Sequence, residues 1–323
     1  MLSRHFLRSK VLQAMYACEM CEEPYMEVER NFRNNVSHLN TLGVLQLSLL
    51  VELRHEAERV AEEGRHKFIP TEEEKNPSLR VVNNRFLLLL EDNYDLKRFC
   101  EEGKIKWSKD EECVRRLFHE FRQTETYKDY IAGEEDSFEN DREFALKLFK
   151  AMVNNEGVRA RVCERSLLWE DDFDQIAQYN FMMMKTIDES WSVGSVLPLM
   201  NDERIEKDVA DFDFALTLMR GAYEGRDDGE RLIRANLRGW EYERVALMDV
   251  VLVNMAIAEL TRCSTIPERV TVDEYIELAK EFSTERSRLF VNGILDNIII
   301  ALRSEGKITK VGRGLPFEDG EKS

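Results

Sequence analysis

Residues 243–262 read Glu-Arg-Val-Ala-Leu-Met-Asp-Val-Val-Leu-Val-Asn-Met-Ala-Ile-Ala-Glu-Leu-Thr-Arg and are apolar almost all the way round a helical projection. A helix with one apolar stripe lies at a surface, whereas one apolar on every side has to be enclosed by others. The stretch therefore predicts a central helix with several partners. Ile266-Pro267 breaks the chain after it, and Thr271-x-x-Glu274 reads as a capping box opening the next helix, with Ile276, Ala279 and Phe282 inward. Ser283 is placed to cap a final helix, 284–303, in which Phe290, Ile294, Asn297, Ile298 and Ala301 share a face. Gly293 falls inside that helix, at a cost of about 1 kcal/mol against Ala, and such a glycine marks the close approach of another helix. From 304 onward Gly306, Gly312, Gly314 and Gly320 among polar neighbours suggest a frayed tail.

The same period runs upstream. Leu7, Val11, Ala14, Met15 and Cys18 form one stripe of a helix over 4–22. Leu45, Leu47, Leu49, Leu50 and Leu53 open a second over 42–63, and further helices are expected at 79–102, 110–131 and 172–187. Residues 64–78, with Pro70 and Pro77, read as a solvated loop, and 130–143, with six acids and one base, as a solvated linker. The six prolines fall between these patterns, and 15 glycines are few for 323 residues, so turns and strands are poorly provided for and the balance favours helices, in keeping with an all-α reading. A chain 43% hydrophobic has the material for a core. No apolar run is expected to reach the roughly 18–20 residues that span a bilayer. The basic N-terminus lacks the apolar region and cleavage site of a secretory signal, and reduced cysteines are expected, so a cytoplasmic protein is expected.

The middle of the chain echoes its end. Glu143-Phe-Ala-Leu-Lys-Leu-Phe149 is similar to Asp213-Phe-Ala-Leu-Thr-Leu-Met219, each followed by a Trp (Trp169, Trp240) and then by an apolar helix. Duplication and a chance match of two amphipathic helices both account for this.

The formal net charge of −17 excludes a protein that coats nucleic acid by bulk electrostatics, and leaves room for a small basic site. No phosphate-binding glycine loop, dinucleotide fingerprint or nucleophile elbow is present. Cys18 and Cys21 have no second pair to complete a zinc site, and Gln123 stands where a second histidine would follow His119-Glu120. A non-catalytic, metal-free and cofactor-free protein is the expectation. Two basic spots stand out. Residues 1–10 hold Arg4, Arg8 and Lys10 and no acid; Arg4 and Arg8, one turn apart, can grip adjacent phosphates or can be a snorkelling pair at a helix end. In Arg286-Ser-Arg288-Leu-Phe290-Val-Asn292 two bases precede an aromatic and an amide, the mixture that holds a backbone, stacks on an unpaired base and reads its edge. Equally, Phe290 can be core.

These residues carry a family resemblance. Ile266-Pro267-x-x-Val270, then Val272-x-x-Tyr275-Ile276-Glu277-Leu278-Ala279-Lys280-x-Phe282, then Phe290-Val291-Asn292-Gly293-x-Leu295-Asp296, resembles the signature of the NusB transcription antitermination factors. Ala256-x-x-Glu259-Leu260 resembles the family's preceding helix, and Arg8-x-x-x-x-Gln13-Ala14-Met15-Tyr16 its opening one. By this resemblance residues 1–35 plus 205–305 form a helical RNA-binding domain of two packed three-helix bundles. Residues 36–204 are then a helical insertion that includes the echo, and 306–323 a flexible tail. The resemblance implies binding of boxA-type RNA in nascent ribosomal-RNA transcripts together with NusE, the small-subunit ribosomal protein, in an elongating RNA polymerase complex. By position it makes Arg4, His5, Arg8, Arg286, Arg288, Phe290 and Asn292 RNA contacts, and sets Asp249 and Glu259 near the partner protein.

The match has departures. His5 replaces a usual base, and Asn254 stands where the family often has Arg, so RNA affinity is expected to be weaker and less salt-sensitive than in a basic relative. The insertion looks too acidic to compensate by charge. A rival expectation of a different class is a helical protein-interaction module of the transcription machinery that kept the fold and lost RNA.

Overall fold

The computed structural model describes residues 3–69, 71, 75–198, 206–237 and 241–311. Their regular structure is helical, with fourteen α-helices and no strand among them. Two compact units are formed, one of Val36–Asp202 and one of Leu2–Asn35 with Glu203–Ser323.

α1 (Arg4–Cys21) starts at Ser3, whose hydroxyl accepts from the Phe6 amide at 3.1 Å. α2 (Tyr25–Arg65) begins directly after Pro24 and runs on for 41 residues. It is seventeen residues longer at its start than the apolar run from 42 predicts, because Val28, Phe32, Val36 and Leu39 are buried between polar neighbours that mask the period. The helix is long and apolar enough to cross a bilayer, which corrects the expectation that no such run exists; 67% of its most apolar window is buried inside the protein, as in a core helix.

In the Val36–Asp202 unit, asparagines and threonine cut the expected long helices into short ones. α3 (Arg85–Asp92) and α4 (Tyr94–Glu102) meet at Asn93, which caps the start of α4 by accepting from the Leu96 amide at 3.0 Å. α5 (Glu111–Arg122) and α6 (Glu125–Ala132) are divided by Thr124, the N-cap of α6. The stretch expected as a linker to 143 is mostly helix. Ser137 caps α7 (Phe138–Val153), and its acids Glu139 and Asp141 sit in the first turn, where the helix dipole favours them. Asp141 is buried. It accepts from the Tyr130 hydroxyl at 2.8 Å and from Arg85 Nε at 2.8 Å, while Asn84 donates to Tyr130 Oη at 2.9 Å. α7 is the hub, packing on α3, α5, α6, α8 (Glu156–Cys163) and α9 (Phe173–Thr186). α2 is tied to α9 by Asn180, which donates to Gly43 O and Gln46 Oε1, both at 3.0 Å.

In the other unit, α10 (Glu206–Glu224) and α11 (Arg226–Asn236) lead to α12 (Leu247–Arg262), followed by α13 (Glu268–Phe282) and α14 (Glu285–Ser304). α12 packs on α1, α10, α11, α13 and α14, as its all-round apolarity requires, and Leu252, Val253, Met255, Ala256 and Leu260 are sealed. Three sequence expectations change. α13 starts at Glu268 with Pro267 as N-cap, so Thr271 lies within it and donates to Glu259 rather than capping. Thr284, not Ser283, caps α14, and the Ser283 hydroxyl donates to Asp249 at 3.0 Å. Nothing lies within 4 Å of a Cβ built on Gly293, so no helix of this unit approaches it. The tail is anchored as far as Val311, whose amide donates to Ser264 O at 3.0 Å; residues 312–323, like Trp240, lie outside the described residues.

The echo has a counterpart in element order. α7, α8, a 3-10 turn at Leu167–Trp169 and α9 are succeeded by α10, α11, a 3-10 turn at Tyr242–Arg244 and α12. The outer pair packs together in both runs, α7 on α9 and α10 on α12.

Candidate nucleic-acid interface

The two expected basic spots lie on α1 and α14. On α1, Arg4, His5 and Arg8 are each met by a carboxylate, while Lys10 donates to the Gln13 amide oxygen at 3.0 Å. Arg4 Nε donates to Asp211 Oδ1 at 3.4 Å, and its guanidinium stands 5.1 Å over the Phe214 ring. His5 lies between two acids of α13, Nδ1 2.9 Å from Glu274 and Nε2 3.0 Å from Glu281. Burial pulls its imidazole down, and the hydrogen bonds to Glu274 and Glu281 more than offset this, so its pKa is raised.

Arg8 is inside the protein, 2% exposed. Its Nε and Nη2 donate to the two oxygens of Glu259 at 2.7 and 2.8 Å, a bidentate pair joining α1 to α12. Glu259 is fully buried and also accepts from the Thr271 hydroxyl at 2.9 Å and the Tyr275 hydroxyl at 3.3 Å. Burial raises the Tyr275 phenol well above its usual range, with Glu259 adding to it. Three residues expected at binding surfaces are therefore enclosed. Arg8 is turned to Glu259 inside the protein, with Nη1 also 3.2 Å from Glu274, and Glu259 is sealed from solvent. Asp249, 5% exposed, is likewise turned inward, onto Ser283.

On α14 the picture is open. Val291, Ile294, Leu295, Ile298 and Leu302 face the core, which leaves an outward arc. Arg286 is exposed and Phe290 half-buried, one turn apart at one border of the arc. Arg288, half-buried and paired with Glu285, and exposed Asn292 stand one turn apart at the other border. Between them lie Gly293, with open space around it, and the exposed apolar Leu289 and Ile300. Phe290 is thus not a sealed core residue, although it shares helical phase with the stripe. Among the described residues no hydrogen bond or ion pair links the α1 group to the α14 group. Sequence reasoning missed Asp211, Glu274 and Glu281 as partners of the bases, since they are distant in sequence. Leu289 and Ile300 were detectable as apolar positions opposite the buried stripe. No group of three or more His, Cys, Asp or Glu able to hold a metal ion occurs among the described residues.

The comparisons agree on one family. The profile of the NusB family matches residues 173–299, beginning at the first residue of α9, inside the Val36–Asp202 unit, and ending in α14. Transcription antitermination protein NusB of Salinibacter ruber is 39% identical over 111 residues, which are 34% of this chain and 69% of that protein. The same-named protein of Symbiobacterium thermophilum is 42% identical over 101 residues, 31% of this chain and 65% of its own. That of Chloroherpeton thalassium is 35% identical over 113 residues, 35% of this chain and 54% of its own. A solved structure of T. maritima NusB is 30% identical, covering 43% of this chain and 83% of that one, with a TM-score of 0.26.

Proposed function

Because this chain belongs to the NusB family, we propose that it is a cytoplasmic, non-catalytic antitermination factor that binds boxA-type RNA of nascent ribosomal-RNA transcripts together with NusE in an elongating RNA polymerase complex. The observation that carries the RNA reading is the outward arc of α14. Exposed Arg286 stands beside half-exposed Phe290, with Asn292 across the arc, in a segment within the family match. An aromatic free on one side can stack on an unpaired base while a neighbouring guanidinium holds phosphate. Arg4, 44% exposed at its side chain, and His5 are the α1 residues that remain candidates for the same RNA. The test is a titration of boxA RNA with and without NusE over a range of salt. Binding that requires NusE and falls with salt is expected; no binding in NusE's presence overturns the RNA role.

A specific observation favours a second reading. Arg4, His5 and Arg8 of α1 already face Asp211, Glu274, Glu281 and Glu259, the arrangement of a protein-interaction module that has given up RNA. Recovery of polymerase or ribosomal proteins that survives nuclease treatment supports this reading, and RNA-dependent recovery refutes it.

A further inference from the structure

Acidic composition hides a local reversal of sign in the Val36–Asp202 unit. Between residues 104 and 122 stand Lys104, Lys106, Lys109, Arg115, Arg116, His119 and Arg122. Among the described residues most arginines of the protein are held by a carboxylate, yet Lys104, Lys106, Lys109, Arg116 and Arg122 enter no ion pair. Lys104, Lys106, Lys109 and Arg116 are exposed. Of the acids of the same stretch, Asp110 is held by Arg165 at 2.6 Å and Glu111 by Arg115 at 3.3 Å, while Glu120 accepts from the neutral Asn155 amide at 3.1 Å, which leaves Glu112 and Glu120 without a counter-cation among the described residues.

The fold gathers and fixes these cations. Trp107, 2% exposed, donates to Ser48 Oγ at 3.0 Å and pins the loop before α5. Arg165, just beyond α8, stacks 4.7 Å over the Trp107 ring and donates to Lys106 O at 3.2 Å. α8 meets α5 at Gly157, where a Cβ would stand 2.9 Å from the Arg116 guanidinium. The loop bearing the three lysines runs directly into α5, which carries Arg116 in its second turn, and this continuous stretch forms one edge, with Lys106 lining a cleft that also holds Glu52, Glu56 and Glu111.

What such an edge binds follows from what it lacks. Protein interfaces need apolar anchors at their centre. Between 104 and 122 no large apolar side chain is exposed; Trp107, Val114, Leu117, Phe118 and Phe121 are all buried. A row of unpaired cations with no apolar anchor fits a phosphate backbone, which is recognised by charge and spacing without base contacts. We propose that this edge binds the phosphate backbone of single-stranded RNA, with Lys104, Lys106, Lys109 and Arg116 as its phosphate contacts. The inference rests on the reading of the protein as an RNA binder, and it reverses the expectation that the insertion is too acidic to contribute.

The test uses the full chain with boxA-type RNA and with polyuridine of equal length, each titrated over a range of salt. The variant Lys104→Gln/Lys106→Gln/Lys109→Gln/Arg116→Gln is expected to bind both RNAs about tenfold or more weakly at low salt. Its slope of log affinity against log salt should be shallower by about 2 to 3, near 0.7 for each lost phosphate contact. The control Lys147→Gln/Lys150→Gln, on α7, should leave both unchanged. An unchanged affinity and slope in the fourfold variant overturns the proposal. So does tighter binding of polyglutamate than of polyuridine at matched charge, lost in the fourfold variant, which assigns the edge to an acidic protein. Phe290→Ala separates the two readings. If it weakens boxA binding while the fourfold variant does not, the edge fails and the α14 site stands; the reverse pattern keeps the edge and removes the α14 site.

Discussion

Two pairs of side chains share one helical spacing and differ in everything else. Arg4 and Arg8 are one turn apart on α1, and Arg286 and Phe290 one turn apart on α14. From α1 the side chains turn to acids on neighbouring helices, and Arg8 disappears into a bidentate pair with Glu259. From α14 they stand at the border of an arc with no partner within the protein at its centre. Spacing decides which side chains share a face, but it is the neighbouring helices that decide whether the face is closed. Of the two basic spots, that on α1 is closed by the protein's own acids and that on α14 is open.

The largest effect expected breaks the closed half. Arg8→Ala leaves Glu259 buried without its counter-charge and should destabilise the protein by about 3–5 kcal/mol, seen as a lower urea midpoint. Replacing both partners by Met should be milder than either single change, because two apolar side chains leave no buried charge. If Arg8→Ala instead keeps the urea midpoint and selectively weakens RNA binding, the pair is not the anchor described and Arg8 faces RNA in solution.

Phe290→Ala probes the open half. Loss of a stacked base should weaken boxA binding by about 1–3 kcal/mol, with little change in urea midpoint since the ring is already half exposed. A large fall in stability with no selective loss of RNA would return Phe290 to the core. The contrast with Arg8 is then direct, as one substitution reads out in folding and the other in binding.

Legibility in the sequence follows the same divide between local pattern and distant partner. α12 was legible because a helix apolar on all sides has one destination. The divisions at Asn93 and Thr124 were not, since a single capping residue inside a continuous apolar period ends a helix without disturbing the period. The acids of 130–143 read as a solvated linker because composition cannot distinguish a free carboxylate from Asp141, which is buried on Tyr130 and Arg85. The enclosure of Arg8 was hidden for the same reason. Its partner is 251 residues away, and no local feature announces it. The outward arc of α14 was legible in its edge residues and not in its glycine, which was assigned to a helix contact the fold does not make.

Gly293 offers a smaller and sharper test of that arc. An alanine there meets no atom within 4 Å, so Gly293→Ala should stabilise the free protein by about 1 kcal/mol through helix propensity. If the arc is where RNA approaches the backbone, the same methyl should weaken boxA binding while thermal stability rises. A stabilised variant that binds RNA as well as the wild type would show that the glycine is not kept for the ligand.

The smallest effect concerns His5, whose raised pKa makes the closed half depend on pH. The protonated imidazole is favoured by Glu274 and Glu281 in the folded state and has no such partners when unfolded. Its contribution is therefore complete below the unfolded pKa of about 6.5 and fades as pH rises through the higher folded value. For half-exposed pairs of this kind the size should be about 0.5 kcal/mol. His5→Gln should accordingly lower the urea midpoint at pH 6 and leave it nearly unchanged well above the folded pKa. A midpoint difference that grows with pH would mean that the neutral imidazole is the form the fold holds, and that α1 is fastened to α13 by something other than charge.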